Sequence, residues 1–255
     1  MWKGVLRLGK LSVATTLHAA VEDRAVHFHL LHDDDQVRVR QRLVNPATGE
    51  TQSDGDVHRG YEVERGTYVL FTDAELSSLE PEASRDIRLH SFVPQKALGA
   101  VWYERPYYLA PDGQADAYFA LAEALKNRGL AGIAHWVMRK KQYHGAVLPH
   151  GDHLAMVTLR PLDEVLKPPK VEPLHRAADA RELSMAEQLV SALSGKFDPT
   201  EFSDEHRARV SALIEAKARG KKPKAAKPSR RPAPKSLSAA LAASLKTIHK
   251  EQKSA

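Results

Sequence analysis

Cysteine is absent from the 255 residues. That excludes disulfides, thiolate zinc sites and thiol catalysis, and it suits a reducing compartment. No run of 18 apolar residues occurs, so no membrane span is expected. The opening Met1-Trp2-Lys3-Gly4-Val5 lacks the apolar stretch of a secretory signal. These absences predict a cytoplasmic protein. Catalytic signatures are missing as well. Ser194-Gly195-Lys196 has Val190 where a phosphate-binding loop needs its first glycine, and Phe197 where it needs Ser or Thr. There is neither a Gly-x-Ser-x-Gly nor a His-Glu-x-x-His. No catalytic residue and no cofactor is therefore assigned.

What is present is an uneven distribution of charge. Residues 1–216 carry 26 Lys and Arg against 31 Asp and Glu, a net of −5; residues 217–255 carry 12 against one, a net of +11. The overall charge of +6 thus describes a tail rather than the body. A tail of that sign attracts polyanions, nucleic acid first among them.

The alternation of residues over 1–160 predicts short strands. Leu11, Val13, Thr15 and Leu17 recur at period two, as do Val26, Phe28 and Leu30, and Val37, Val39 and Gln41. Asn45-Pro46-Ala47-Thr48-Gly49 reads as the turn of a hairpin. Tyr61–Val63, Tyr68–Phe71, Ile87–Leu89, Ile133–Lys141 and His153–Arg160 read as further strands, and Tyr107 and Tyr108 as core residues of one more. Thr72 or Asp73 is placed to cap a short helix ending before Pro81. One longer helix spans 114–128, with Gly129 closing it. The class is α+β, with a barrel or sandwich as its β portion. Prolines at 168, 169 and 173 make 166–181 a linker or arm. Apolar residues at helical spacing mark helices over 182–194 and 203–219. Residues 220–236 are rich in Lys, Pro, Ala and Arg and are expected to be disordered; Leu237, Leu241 and Leu245 suggest a short terminal helix.

Three basic groups stand out within the acidic body. Arg38, Arg40 and Arg42 share one side if they lie on a strand. Arg139, Lys140 and Lys141 form a second group, and Lys3, Arg7 and Lys10 a third. Each is either a nucleic-acid contact or the solvated face of a sheet. The tail adds Lys221, Lys222, Lys224, Lys227, Arg230 and Arg231 as sequence-independent phosphate contacts. His27 and His29 beside Asp33–Asp35 lack a third fixed ligand, so no metal site is assigned.

Several segments in order resemble one family. They are Trp2-Lys3-Gly4, Phe28–His32 with Val37–Arg40, Gly60–Glu62 with Tyr68–Leu76, Arg105–Asp112, and Glu182–Leu189 with Phe197–Pro199 and Leu213–Lys217. Together they are similar to bacterial Ku proteins. The resemblance implies a Ku-core β-barrel with a DNA-encircling bridge over 1–165, a linker or arm over 166–181, a helical C-terminal region over 182–220 and a disordered basic tail over 221–255. It further implies a homodimeric ring that binds double-stranded DNA ends, catalyses nothing itself, recruits and stimulates an ATP-dependent DNA ligase (ligase D), and works in the bacterial cytoplasm at the nucleoid. Two other readings compete: an architectural DNA-coating protein acting through its tail, and a metal-dependent nuclease acting through the histidines.

Overall fold

A computed structural model describes residues 1–113, 115–170 and 179–220, together with Leu241 and Ser244. Two compact units result: Met1–Arg24 with His29–Pro168, and Ala25–Phe28 with the chain from Pro169 onward.

In the first unit seven strands close into a barrel. They are β1 (Trp2–Leu8), β2 (Leu11–Ala19), β5 (Asp86–Pro94), β6 (Tyr103–Pro111), β7 (Leu130–Met138), β8 (Lys141–His150) and β9 (His153–Leu159). Their order around the barrel is β1-β2-β6-β9-β8-β7-β5, and β5 returns to β1 as the one parallel pair, with Leu6 opposite Ile87. Closure leaves these strands no free edge. A separate two-stranded sheet consists of β3 (Arg59–Glu64) and β4 (Thr67–Phe71).

The core follows from alternation. Leu6, Val13, Leu17, Ile87, Leu89, Leu109, Trp136, Leu154 and Met156 point into one cluster. Helix α2 (Ala115–Arg128) completes it with Tyr118, Leu121, Ala122 and Leu125. That helix ends where expected, at Gly129, whose φ of 63° is the left-handed conformation glycine adopts freely. Gly145 is required for a different reason: a Cβ there would lie 2.5 Å from the Val157 carbonyl oxygen and 2.6 Å from the Trp136 ring. Helix α1 (Asp73–Ser78) begins with a capping box, Thr72 accepting from the Glu75 amide while the Glu75 carboxylate accepts from the Thr72 amide.

In the second unit, α3 (Ala180–Leu193) starts at Asp179 and α4 (Glu205–Ala218) at Asp204; each aspartate accepts a backbone N–H two or three residues on. Phe197 and Phe202, in the connection, pack with ring centroids 5.2 Å apart.

Several expectations change. Val26, Phe28 and Leu30 form no strand; the expected hairpin is reduced to one bridge, Leu31 opposite Arg38. The Asn45–Gly49 turn forms, closed by a single bridge between Val44 and Thr51. Alternation alone does not make a strand where no neighbour supplies a ladder. The strand expected over 133–141 is cut at Arg139-Lys140, and a whole strand, β8, follows it. Tyr107 packs on the core as expected, but Tyr108 is exposed among His150 and His153. Residues 171–178 and most of the tail lie outside the described residues.

Candidate nucleic-acid interface

The first basic group lies in the long excursion between β2 and β5. Residues 20–85 leave the barrel and contribute none of the buried apolar core. Leu30 and Val39 meet through a backbone hydrogen bond of 3.1 Å, and His32 and Val37 through one of 2.9 Å. The turn between them is organised by Asp35, which accepts from the Val37 amide at 3.0 Å and from His32 Nδ1 at 2.9 Å. Those two contacts hold its carboxyl below the usual carboxylate range. The acidic run 33–35 thus has a structural use: Asp35 ties its own turn. Beyond the turn, Arg38, Arg40 and Arg42 are all exposed. Among the described residues none of the three has a carboxylate within ion-pair distance, whereas nearby Arg24 pairs with Glu22 and Arg59 with Asp73. Only Arg38 takes part in a bridge, so the three guanidinium groups are not a strand face as expected.

The second group forms a tight turn. Met138 and Lys141 pair as the last residues of β7 and the first of β8, so Arg139 and Lys140 are a two-residue loop. Their φ angles are 52° and 64°, the left-handed conformation that such loops demand and that Asn and Gly satisfy more easily. Lys140 Nζ lies 3.0 Å from Glu80, and Lys141 Nζ sits 5.6 Å from the Tyr143 ring centroid.

The third group is largely committed elsewhere. Lys3 pairs with Asp112 at 2.8 Å and Arg7 with Asp86 at 3.0 Å, both on the barrel wall. Arg7 also donates to Ser12. Such exposed pairs contribute about 0–1 kcal/mol each. Lys10, in the β1–β2 turn, is the member of this group with no ion pair among the described residues. Lys221, Lys222, Lys224, Lys227, Arg230 and Arg231 lie outside the described residues.

Histidines also gather where no local pattern announces them. His90, His135 and His144 lie side by side across β5, β7 and β8, with ring centroids 5.8 and 6.4 Å apart. Partial burial, then the neighbouring His90, His144 and Arg88, pushes the pKa of His135 down. Among the described residues no group of three or more His, Asp or Glu is arranged to hold a metal ion. His27 and His29, weighed as ligands from the sequence, share no strand face.

The excursion carries a further feature that charge patterns do not reveal. Tyr61, Val63, Tyr68, Val69 and Leu70 of the β3–β4 sheet are all exposed, Tyr61 by 67% and Leu70 by 64%. Both faces of that sheet are therefore wet and apolar at once. The barrel, its interrupting excursion and the helices after it match known proteins. A family model described as the Ku70/Ku80 beta-barrel domain matches residues 7–185. The chain belongs to the Ku family. Non-homologous end joining protein Ku 2 of Geotalea uraniireducens is 36% identical over 227 residues, covering 87% of each chain. The protein named Ku from Coxiella burnetii is 35% identical over 85% of this chain and 81% of its own length. An archaeal relative, from Archaeoglobus fulgidus, is 30% identical over 86% and 88%. Within this Ku fold, Arg38, Arg40 and Arg42 belong to the excursion, while Arg139, Lys140 and Lys141 stand at one end of the barrel. Sequence reasoning missed Arg85, which joins that second group across a cleft. Fifty-four residues separate it from Arg139, so only the closure of β5 onto β1 and β7 brings them together.

Proposed function

We propose that this protein binds the ends of double-stranded DNA without sequence preference, as a homodimeric ring in non-homologous end joining. The observation that carries the reading is the excursion over residues 20–85. It holds three guanidinium groups with no ion pair among the described residues and an apolar two-stranded sheet, and it contributes none of the buried apolar core. Relatives named for end joining over most of their length support the same reading. An isolated two-stranded sheet is marginal in water, so a partner must cover Tyr61, Tyr68 and Leu70. A second copy is the simplest partner, since a two-fold interface lets one patch meet its twin. Two such arms closing around a duplex hold it by its phosphates, a contact every sequence offers equally.

Arg38, Arg40 and Arg42 are the principal contacts in this reading, with Lys141 and Lys10 secondary; Arg139 and Lys140 line a separate cleft on the barrel, and Lys140 is paired with Glu80. Lys3 and Arg7 contribute least, being paired. The tail cations Lys221, Lys222, Lys224, Lys227, Arg230 and Arg231 hold flanking duplex. A sealing enzyme must then be supplied from outside, and the family resemblance points to an ATP-dependent DNA ligase, ligase D. The work is done at the nucleoid.

A gel-shift comparison of linear duplex with a covalently closed circle tests this. Linear DNA is expected to shift at moderate salt and the circle not; equal loading of both overturns the ring. In the same assay Arg38→Glu with Arg40→Glu should weaken end binding by about tenfold or more while the protein stays dimeric. The +11 charge of residues 217–255 favours one alternative, bulk coating of DNA through the tail. Coating predicts indifference to ends and loss of all binding when the tail is removed.

A further inference from the structure

A cleft of about 610 Å³ opens on the flank of the barrel, where the start of β1, the segment after α1 and the β7–β8 turn meet. Its volume lies in the range of clefts that hold small ligands or peptide side chains. The floor is apolar. Trp2 is half-buried against the core, Met138 is buried, and both line the cleft. The indole lies across Gly4, where a Cβ would come within 2.4 Å of a ring carbon, so the ring is held in place by its own strand.

The rim is basic. Arg85, Arg139 and Lys140 line it, with Glu80 as the carboxylate among them. Glu80 is already paired, 3.0 Å from Lys140 Nζ. Among the described residues, Arg85 and Arg139 have no carboxylate within 4.0 Å. Free guanidinium groups are notable in a body whose net charge is −5. The turn that presents Arg139 and Lys140 also keeps two non-glycine residues in the left-handed conformation. A costly backbone held at two adjacent positions points to a use for the side chains it displays.

We propose that this cleft docks an acidic peptide segment of a partner protein. Carboxylates of the segment pair with Arg85 and Arg139, and one apolar side chain rests on Trp2 and Met138. Planar guanidinium groups suit carboxylates because both oxygens are engaged at once. Recognition of acidic motifs by clustered arginines is a recurring mode. Duplex DNA fits this cleft poorly: its phosphates lie on a convex surface, its bases stay stacked away from the indole, and Glu80 on the rim repels it. The proposal stands apart from the end-binding reading, since it needs no nucleic acid.

Fluorescence anisotropy on the full chain tests it, with a labelled, short, Asp/Glu-rich peptide carrying one central leucine. The basic tail attracts any such peptide, so a second probe with serine replacing that leucine, its carboxylates kept, measures the charge-only background. Arg85→Ala with Arg139→Ala should weaken the leucine peptide by about tenfold and the serine peptide by clearly less. Glu80→Gln frees Lys140 and should tighten the leucine peptide by about threefold. Equal affinity for the two probes, or no effect of the arginine pair, overturns the proposal. Equally effective displacement by a single-stranded oligonucleotide of the same charge overturns it as well, in favour of a nucleic-acid site. If the double variant does not fold, Glu80→Gln decides alone, and no gain in affinity counts against docking. Linear-duplex binding measured in parallel reports separately on the ring.

Discussion

Tyr118 joins three elements through a single oxygen. Its hydroxyl donates to the Leu109 carbonyl at 2.6 Å and accepts from the Leu154 amide at 2.7 Å. Leu109 and Leu154 face each other as the last register pair of β6 and β9, so the hydroxyl from α2 seals the end of that ladder. Burial pushes the phenol pKa up, and the Leu154 amide only partly opposes this. The group therefore stays protonated, and able to donate, at neutral pH. Tyr118→Phe keeps the ring but leaves a buried N–H and C=O unpaired. The expected loss is about 2–3 kcal/mol of stability, read as a lower urea midpoint with an unchanged slope. A midpoint within error of the parent would mean that water replaces the hydroxyl. The sequence marks Tyr118 as part of a helix's apolar face, and it is; the hydrogen bonds to residues 109 and 154 depend on contacts no local pattern encodes.

At the scale of elements, the hairpin of β7 and β8 departs most from local preference. A two-residue loop of this kind favours Asn-Gly, and here Arg139-Lys140 occupies it. Left-handed backbone costs a non-glycine residue about 1–2 kcal/mol. Arg139→Asn with Lys140→Gly should therefore raise stability by about 1–2 kcal/mol in a thermal or urea melt. The same variant should lose whatever the two cations bind. No gain in stability would show that the side chains stabilise the turn by contacts that offset its strain. The turn also explains why 133–141 reads as one strand. Its residues carry no turn signature, and the break is imposed by the pairing of Gly132–Met138 with Lys141–Val147. The opposite failure occurs at 26–30, where period-two alternation is present but no neighbouring strand accepts it.

For the whole molecule, charge is divided between a body of net −5 and a C-terminal stretch of net +11. Such a tail adds non-specific affinity and steers DNA at long range, and salt suppresses both effects. If about six of its cations neutralise phosphates, removing residues 221–255 should flatten the slope of log affinity against log salt by about 5. Anisotropy titrations with a short duplex over a range of salt check this. Preference for ends should survive the deletion, because the proposed ring is closed by residues 20–85 and not by the tail. Loss of end preference together with the tail would favour coating over threading.

Much of this protein was legible without coordinates. The strands over 11–17, 61–63, 68–71 and 153–160, the Thr72 cap, the helix to 128 and its Gly129 stop are local, and each rests on the nearest few side chains. The partition of charge is likewise a property of order along the chain, as are the ordered segments that mark the Ku family. Closure of the barrel was legible only through the family resemblance and not from any local pattern, because the parallel return of β5 to β1 joins residues some eighty positions apart. For the same reason only the folded chain decides which cations remain available. Lys3 and Arg7 meet Asp112 and Asp86 across the barrel wall, while Arg85 and Arg139 are brought to one rim with no carboxylate within 4.0 Å of either among the described residues. Charge is set by composition, but whether a charge is free depends on which distant carboxylate the fold carries to it.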